Sequence, residues 1–245
     1  MNWWKKYNRL PNKKAVLLQS GGLDSCVCDS ILHAAGFEVV ELFIDYGQSA
    51  LEREWEMAQE LADMYNHELK RIRLDLPWWH ESPLVGGELK TCDVNPVDRI
   101  EKSSYISMRN TVLFSVACSL AESLRYPYIC TGITGSQTLF GKPKGGVDAH
   151  PNFRKSIERT FNEGSMYYHK ENGKFTVLAP LLSLSKADVI TLGYIFGANM
   201  SLSWSCYNGD KMPCGKCSSC VERAEGFYKT GNRDPLLIQL RGRKN

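Results

Sequence analysis

Two groups of residues have the types and spacing to do chemistry. The first is Ser20-Gly21-Gly22-Leu23-Asp24-Ser25, which follows directly on the apolar run Ala15-Val16-Leu17-Leu18. Glycines at the end of a strand let backbone N–H groups approach an anion closely. A helix opening behind them adds free N–H donors and the positive end of its dipole. That combination binds phosphate. The wording is neither the loop with Lys-Ser/Thr after its second glycine nor the dinucleotide GxGxxG. A Ser-capped helix after a glycine turn would use the same residue types with no ligand, but position, composition and preceding strand all favour the phosphate reading. The second group is Cys206, Cys214, Cys217 and Cys220, spaced C-x7-C-x2-C-x2-C. Two overlapping CxxC steps bring sulfurs from one turn to one point, and the upstream cysteine closes a tetrahedron. Structural zinc is the first reading, with an iron–sulfur cluster or redox thiols as alternatives. Pro213 and Gly215 shape the turn, and Lys211 and Lys216 offset thiolate charge.

Both groups need elements to position them. Residues 15–19 read as a strand and 24–35 as the helix after the loop, stopped at Gly36. Val39 to Ile44 reads as a second strand ending at Asp45-Tyr46-Gly47, and 50–66 as a polar helix with an apolar stripe. Glu68 to Leu74 is a third strand. This alternation is the grammar of a doubly wound parallel α/β sheet. Residues 75–104 lack periodicity; Trp78-Trp79 there could be a docking patch or a core pair. Residues 109–124 predict an apolar, buried helix, 128–131 a strand ending at Gly132, and 133–151 a loop. Helices follow at 152–163, at 185–196 (capped by Ser183 or Ser185, with Asp188 in the first turn) and at 218–228, with an extended run at 177–180.

With 245 residues, 43% hydrophobic and 23% charged, the chain can form one α/β domain with a small appendix. We divide it into a phosphate-loop domain, 1–200, and a four-cysteine zinc-binding segment, 201–245, packed on it. The net charge of +3 suits an anionic ligand and does not indicate nucleic acid. The basic groups Lys5-Lys6, Lys13-Lys14 and Arg241 to Lys244 read as solvated ends. No stretch is long and apolar enough to span a membrane, and nothing resembles a signal peptide, so a cytoplasmic protein is expected. Nine cysteines in that setting favour metal or redox roles over disulfides. Cys118 and Cys130 read as small buried hydrophobes. Cys26 and Cys28, next to the loop, leave a sulfur-carrying role open, and Cys92 carries no assignment.

The wording SGGLDS resembles the pyrophosphate loop of the ATP pyrophosphatases, which split ATP between its α and β phosphates and adenylate a substrate. The run Ser203-Trp204-Ser205-Cys206-Tyr207-Asn208-Gly209, with Pro213 through Arg223, resembles the zinc signature of the 7-cyano-7-deazaguanine synthases of the queuosine precursor pathway. Phe43 to Gln48, Tyr105 to Asn110, Pro180-Leu181 with Leu184 to Asp188, and Asp234-Pro235 are similar to further motifs of that family. The resemblance implies an adenine nucleotide α-hydrolase-like fold, ATP, Mg²⁺ and Zn²⁺ as cofactors, and a homodimer. It implies adenylation of 7-carboxy-7-deazaguanine, capture by ammonia as an amide, and a second activation that gives the nitrile. It assigns Ser20, Gly21, Gly22, Leu23, Asp24 and Ser25 to pyrophosphate, with Asp24 ordering the loop and helping to place Mg²⁺. Arg109 and Lys186 become the cations that reach the phosphates, unless they are surface ion pairs. Phe43 and Ile44 would hold adenine through the strand backbone, Asp45 would end that strand at the ligand edge, and Tyr46, Gln48 and Asp148 would meet the deazaguanine.

Two regions depart from the family pattern: Leu76 to Leu84, and the stretch after Gly132 with its insertion through Lys142 and Lys144. In the second, Asp148, Pro151 and Phe153 match, while Ala149 and His150 replace a Cys and an Arg. Ser49-Ala50 stands where a basic pair is expected. The ATP half is intact and the acceptor half altered, which raises a protein or peptide amine as an alternative acceptor. A tRNA-modifying pyrophosphate-loop enzyme and a degenerate ATP-binding scaffold are the competing classes.

Overall fold

The computed structural model describes residues 3–85, 106–134, 138–139, 142–143 and 147–242. Residues 86–104 of the 75–104 loop, Cys92 among them, with Tyr105, Lys144 and the final Arg243-Lys244, lie outside the described residues.

β1 (Lys14–Leu18) leads through the glycine loop into α1 (Leu23–Ala34), and β2 (Glu38–Asp45) through a turn into α2 (Leu51–Tyr65) and β3 (Glu68–Arg73). Then come α3 (Arg109–Leu124), β4 (Tyr128–Thr131), a two-residue ladder of β5 (Thr138–Leu139) with β6 (Lys142–Pro143), α4 (Pro151–Gly164), α5 (Met166–Glu171) and β7 (Thr176–Leu178). α6 (Lys186–Ile195), α7 (Ser218–Thr230) and α8 (Pro235–Gly242) complete the chain. The main sheet has the order β3-β2-β1-β4-β7, every pair parallel.

The order reverses between β1 and β4, and ligands of open α/β sheets sit at the carboxyl ends of the strands at such a switch. Ala15, Val16 and Leu17 are fully buried because helices cover both faces, which is why β1 reads as an unbroken apolar run. Ala15, Leu17, Val39 and Cys130 pack with Val27 of α1, Ile190 of α6 and Phe227 of α7. Val16, Leu42 and Ile129 point the other way, against Phe114 of α3 and Ile157 of α4.

α3 buries one face, Phe114, Ala117, Cys118 and Ala121, rather than its whole circumference. Trp78 and Trp79 divide the two readings between them. Trp79 is 1% exposed and donates its indole N–H to the Ser107 carbonyl, while Trp78 is 63% exposed. Cys26 and Cys28 are buried and burial raises both thiols, which removes the sulfur-carrying reading. Of the two caps proposed for α6 it is Ser185, in a capping box with Asp188.

Candidate active site

The loop after β1 is held open by its own hydrogen bonds. Ser20 and Ser25 hydroxyls lie 3.2 Å apart, Ser25 donates to the Gly22 carbonyl, and the Gln19 side chain accepts from Gly21 N. Gly21 has φ +67°, and a Cβ there would sit 2.1 Å from the Glu54 carbonyl oxygen. Only glycine fits, because α2 packs directly on the turn. A Cβ on Gly132, at the end of β4, would come within 2.9 Å of the Asp24 and Ser25 backbone. Two glycines thus let β4 and α2 close on the first turn of α1. No side-chain cap hydrogen bond closes that helix, and Gly22 N donates back to the Ser20 hydroxyl at 3.3 Å, so the first-turn N–H groups that follow are the ones left for a ligand.

Lys186, at the start of α6, reaches the same turn from 162 residues away. Its ammonium donates to both Asp24 oxygens at 2.7 Å, with Glu222 at 3.8 Å. Burial opposes the charge, but Asp24 and Glu222 outweigh it and hold the ammonium protonated. Asp24 is thereby tied to the start of α6 through Lys186. A Mg²⁺ ion arriving with nucleotide would have to share that carboxylate.

β1 ends at Leu18, opposite Leu42, so beyond that point the β1-facing edge of β2 at Phe43 and Ile44 borders the phosphate loop. The Phe43 side chain is buried edge-on against Trp55, and Ile44 packs on the α3 face, which leaves backbone at the ligand edge. Asp45 accepts from Gly47 N and forms a 2.8 Å ion pair with Arg71. Tyr46 packs edge-on against Trp79, and Arg109 lies over its ring and donates to its hydroxyl at 3.5 Å. Tyr46, Asp148 and Tyr207 hold the Arg109 guanidinium charged against the burial that opposes it. The Gln48 side chain is spent on the turn, accepting from Tyr46 N and donating to Glu54. Its role is to shape the wall of the cleft.

Two residues near this cleft, Arg71 and Glu54, escape motif reading, and a third, Tyr207, reads only as part of the zinc signature. Arg71 lies over Trp55 and pairs with Asp45. Tyr207 comes from the cysteine segment and accepts from Ser218. Glu54 is raised by burial to about 7, against the opposing pull of Gln48 and Arg109. A signal for Glu54 existed: it sits between Leu51 and Ala58 on the apolar stripe of α2, where a carboxylate needs a reason.

The cysteine segment packs on the same region. Trp204 N donates to the Gly21 carbonyl at 2.8 Å, so the two sequence motifs touch. The sulfurs of Cys206, Cys214, Cys217 and Cys220 converge within 4.8 Å of one another. Backbone N–H groups of Asn208 and Cys214 point at Cys206 Sγ, and those of Lys216 and Cys217 at Cys214 Sγ. Bonds from Cys206 and Cys220 pull the Cys217 thiol well below its usual range. Four cysteine sulfurs with N–H···S support fit structural zinc.

The glycine loop and uncapped helix start at the sheet's switch point, with the Lys186 ammonium on Asp24, fit a nucleotide-binding α/β enzyme, and the relatives that follow make it an ATP-dependent one of the carbon–nitrogen ligase type. The profile of the family described as "Queuosine biosynthesis protein QueC" matches residues 14–231, and the chain belongs to that family. Relatives named 7-cyano-7-deazaguanine synthase are similar over most of their length. That of Thermoplasma volcanium is 34% identical, covering 91% of this chain and 90% of its own. That of Methanosarcina barkeri is 33% identical, covering 93% and 99%. Among solved structures, NMN synthetase from Francisella tularensis aligns over 94% of this chain and 87% of that one at 13% identity, with a TM-score of 0.45. Among the described residues no helix is long and apolar enough to cross a membrane.

Proposed function

We propose that this chain uses ATP to adenylate the carboxylate of 7-carboxy-7-deazaguanine and passes the acyl group to a nitrogen nucleophile, with ammonia leading to 7-cyano-7-deazaguanine. A carboxylate is a poor electrophile because its leaving group would be oxide. Transfer of AMP to it supplies a good leaving group and releases pyrophosphate. The observation that carries this reading is the convergence of Lys186 on Asp24 at the uncapped start of α1. In it Ser20 to Ser25 hold pyrophosphate, Lys186 and Arg109 offset phosphate charge, and the β2 edge at Phe43 to Asp45 takes the adenosine. Asp148, beside Arg109, takes the deazaguanine with Tyr46. Mg²⁺ enters with ATP as part of the substrate.

Ammonium, the dominant form at neutral pH, must lose a proton before it can attack. Glu54, held near 7 beside Gln48 and Arg109, is suited to receive it. The nitrogen donates one proton to Glu54, its lone pair forms the C–N bond, AMP leaves with the C–O bonding electrons, and the second proton passes from the nitrogen to the departing phosphate. Zn²⁺ on the four cysteines is structural, and the working unit is a homodimer.

The alternative acceptor is a protein or peptide amine. It draws on Trp78, exposed beside Trp79, which in turn packs on Tyr46 at the cleft. The test is ATP–pyrophosphate exchange with the acid, followed by mass spectrometry of products with ¹⁵N-ammonia or a candidate protein. Exchange with labelled nitrile supports the first reading, and a protein mass increase the alternative. Absence of exchange with the acid rejects both.

A further inference from the structure

The strongest unexplained chemistry lies outside the cleft, in the core between α1, α2 and the sheet. Asp29 is on α1, Glu41 on the α1-facing side of β2, and His67 on the turn into β3. Both carboxylate residues are 0% exposed. His67 Nδ1 is 3.1 Å from Asp29 Oδ1 and 3.1 Å from Glu41 Oε1, but one N–H can serve only one of them. It is directed at Glu41. Both Asp29 oxygens and Glu41 Oε2 are left without a hydrogen bond. Among the described residues no Lys or Arg pairs with either carboxylate. Two buried carboxyl groups thus share one imidazole, and three of their oxygens lack a donor, an arrangement that cores avoid.

We propose that Asp29, Glu41 and His67 bind a divalent first-row transition-metal ion at a centre separate from the cysteine cluster. One proton shared between Asp29 and Glu41 would serve two of the three oxygens and leave the third, with Asp29 and Glu41 still competing for the single His67 N–H. A dication satisfies all of them, with Asp29 using both oxygens, and cancels the two negative charges. His67 Nδ1 lies 3.1 Å from an oxygen of each carboxylate, close to the ~3.4 Å edge of a tetrahedron whose bonds are about 2.0–2.2 Å. One imidazole with carboxylate oxygens selects Zn²⁺, Mn²⁺ or Fe²⁺ over Mg²⁺ and Ca²⁺. His67 must bind through a deprotonated Nδ1, so loading releases a proton. The Tyr65 ring stacks on His67 at 5.6 Å and fixes the imidazole plane. The ion would tie α1 to β2 and β3 about 7.5 Å of helix behind Asp24, bracing the loop from beneath.

The inference does not rest on the proposed reaction, and its test does not read activity. The full chain is stripped with a chelator, reloaded with Zn²⁺, dialysed, and its metal counted. A second equivalent beyond the cysteine site is expected. Asp29→Asn and His67→Gln should each lose that one alone, and Cys214→Ala should lose the other. Reloading with Co²⁺ should leave the thiolate charge-transfer band of the cysteine site unchanged in Asp29→Asn. Should the variants fail to fold, anomalous scattering from crystals of the wild-type chain at the metal's absorption edge decides. A peak between the three side chains supports the site. One equivalent in wild type, unchanged content in the variants, or no peak overturns it.

Discussion

Glu54 sets the pH behaviour of the cleft. Its pKa is raised by burial, so the folded chain holds a proton on it at pH values where the unfolded chain does not. By linkage, stability from this group is full below the ordinary glutamate range and is lost as pH rises through about 7. Nitrogen capture runs the other way, since only the carboxylate can accept a proton. Its rate should climb with pH through the same window. Glu54→Gln should lose that limb with ammonium yet keep ATP–pyrophosphate exchange. It should also melt higher than wild type at pH 8 and show no such gain at pH 5. Hydroxylamine, already neutral at pH 7, separates the roles: Glu54→Gln should form hydroxamate at the wild-type rate, and an equal loss with both nucleophiles would make Glu54 architectural. Lys186 acts one step earlier. Lys186→Met removes a buried cation from the phosphate loop and should lower exchange by on the order of 10²-fold, read by the exchange assay itself.

At the scale of elements, the sheet was legible because each strand leaves a mark that burial explains. Ala15 to Leu18 and Val39 to Ile44 are apolar without alternation, as strands covered on both faces must be. The helix over 109–124 was read with its observed limits, though its apolar content overstated its burial. α5 and α8 were not read, since Met166 to Glu171 is too short for a periodic signal and Pro235 to Gly242 follows a motif read for wording rather than period. The cleft was legible where chemistry is written in consecutive residues, in the loop and the cysteines. It was illegible where one residue matters through distant partners. Arg71 lies on a strand with no motif, and Glu54, Glu41 and Asp29 announce themselves only as charges set inside apolar patterns. Gly132 belongs to the second kind, because its need for no side chain comes from the α1 backbone. Gly132→Ala should push the first turn of α1 off β4, costing about 1–3 kcal/mol. Displacing that turn by an ångström should cut pyrophosphate exchange by on the order of 10²-fold, with the circular dichroism of the fold retained.

For the molecule as a whole, the question is whether the cysteine segment is an appendix or part of one cooperative body. Arg223 favours the second. It is 5% exposed and pairs with Asp234 through two bonds of 2.7 and 2.9 Å. It also donates to the Met200 and Ser203 carbonyls and to the hydroxyls of Ser203 and Ser205. One side chain therefore joins the end of the sheet domain, the zinc turn, α7 and the start of α8. Asp234 in turn accepts from Leu236 N at the head of α8. Removing one partner of a buried pair leaves the other charge uncompensated, which costs about 3–5 kcal/mol. At about 2–4 °C per kcal/mol for a chain of this size, Arg223→Met should lower the melting temperature by about 6–20 °C. If the two parts fold together, calorimetry should show one transition that moves as a unit, and chelating the cysteine-bound metal should move the same transition. A split into two peaks, with the larger at the wild-type temperature, would mean that residues 1–200 stand alone. In that case the bond from Trp204 to Gly21 would be a contact between independent bodies, and zinc removal should leave pyrophosphate exchange untouched. Cooperative folding predicts the reverse: exchange falls as metal is withdrawn, because the segment that carries Trp204 and Tyr207 loosens from the loop and from Arg109.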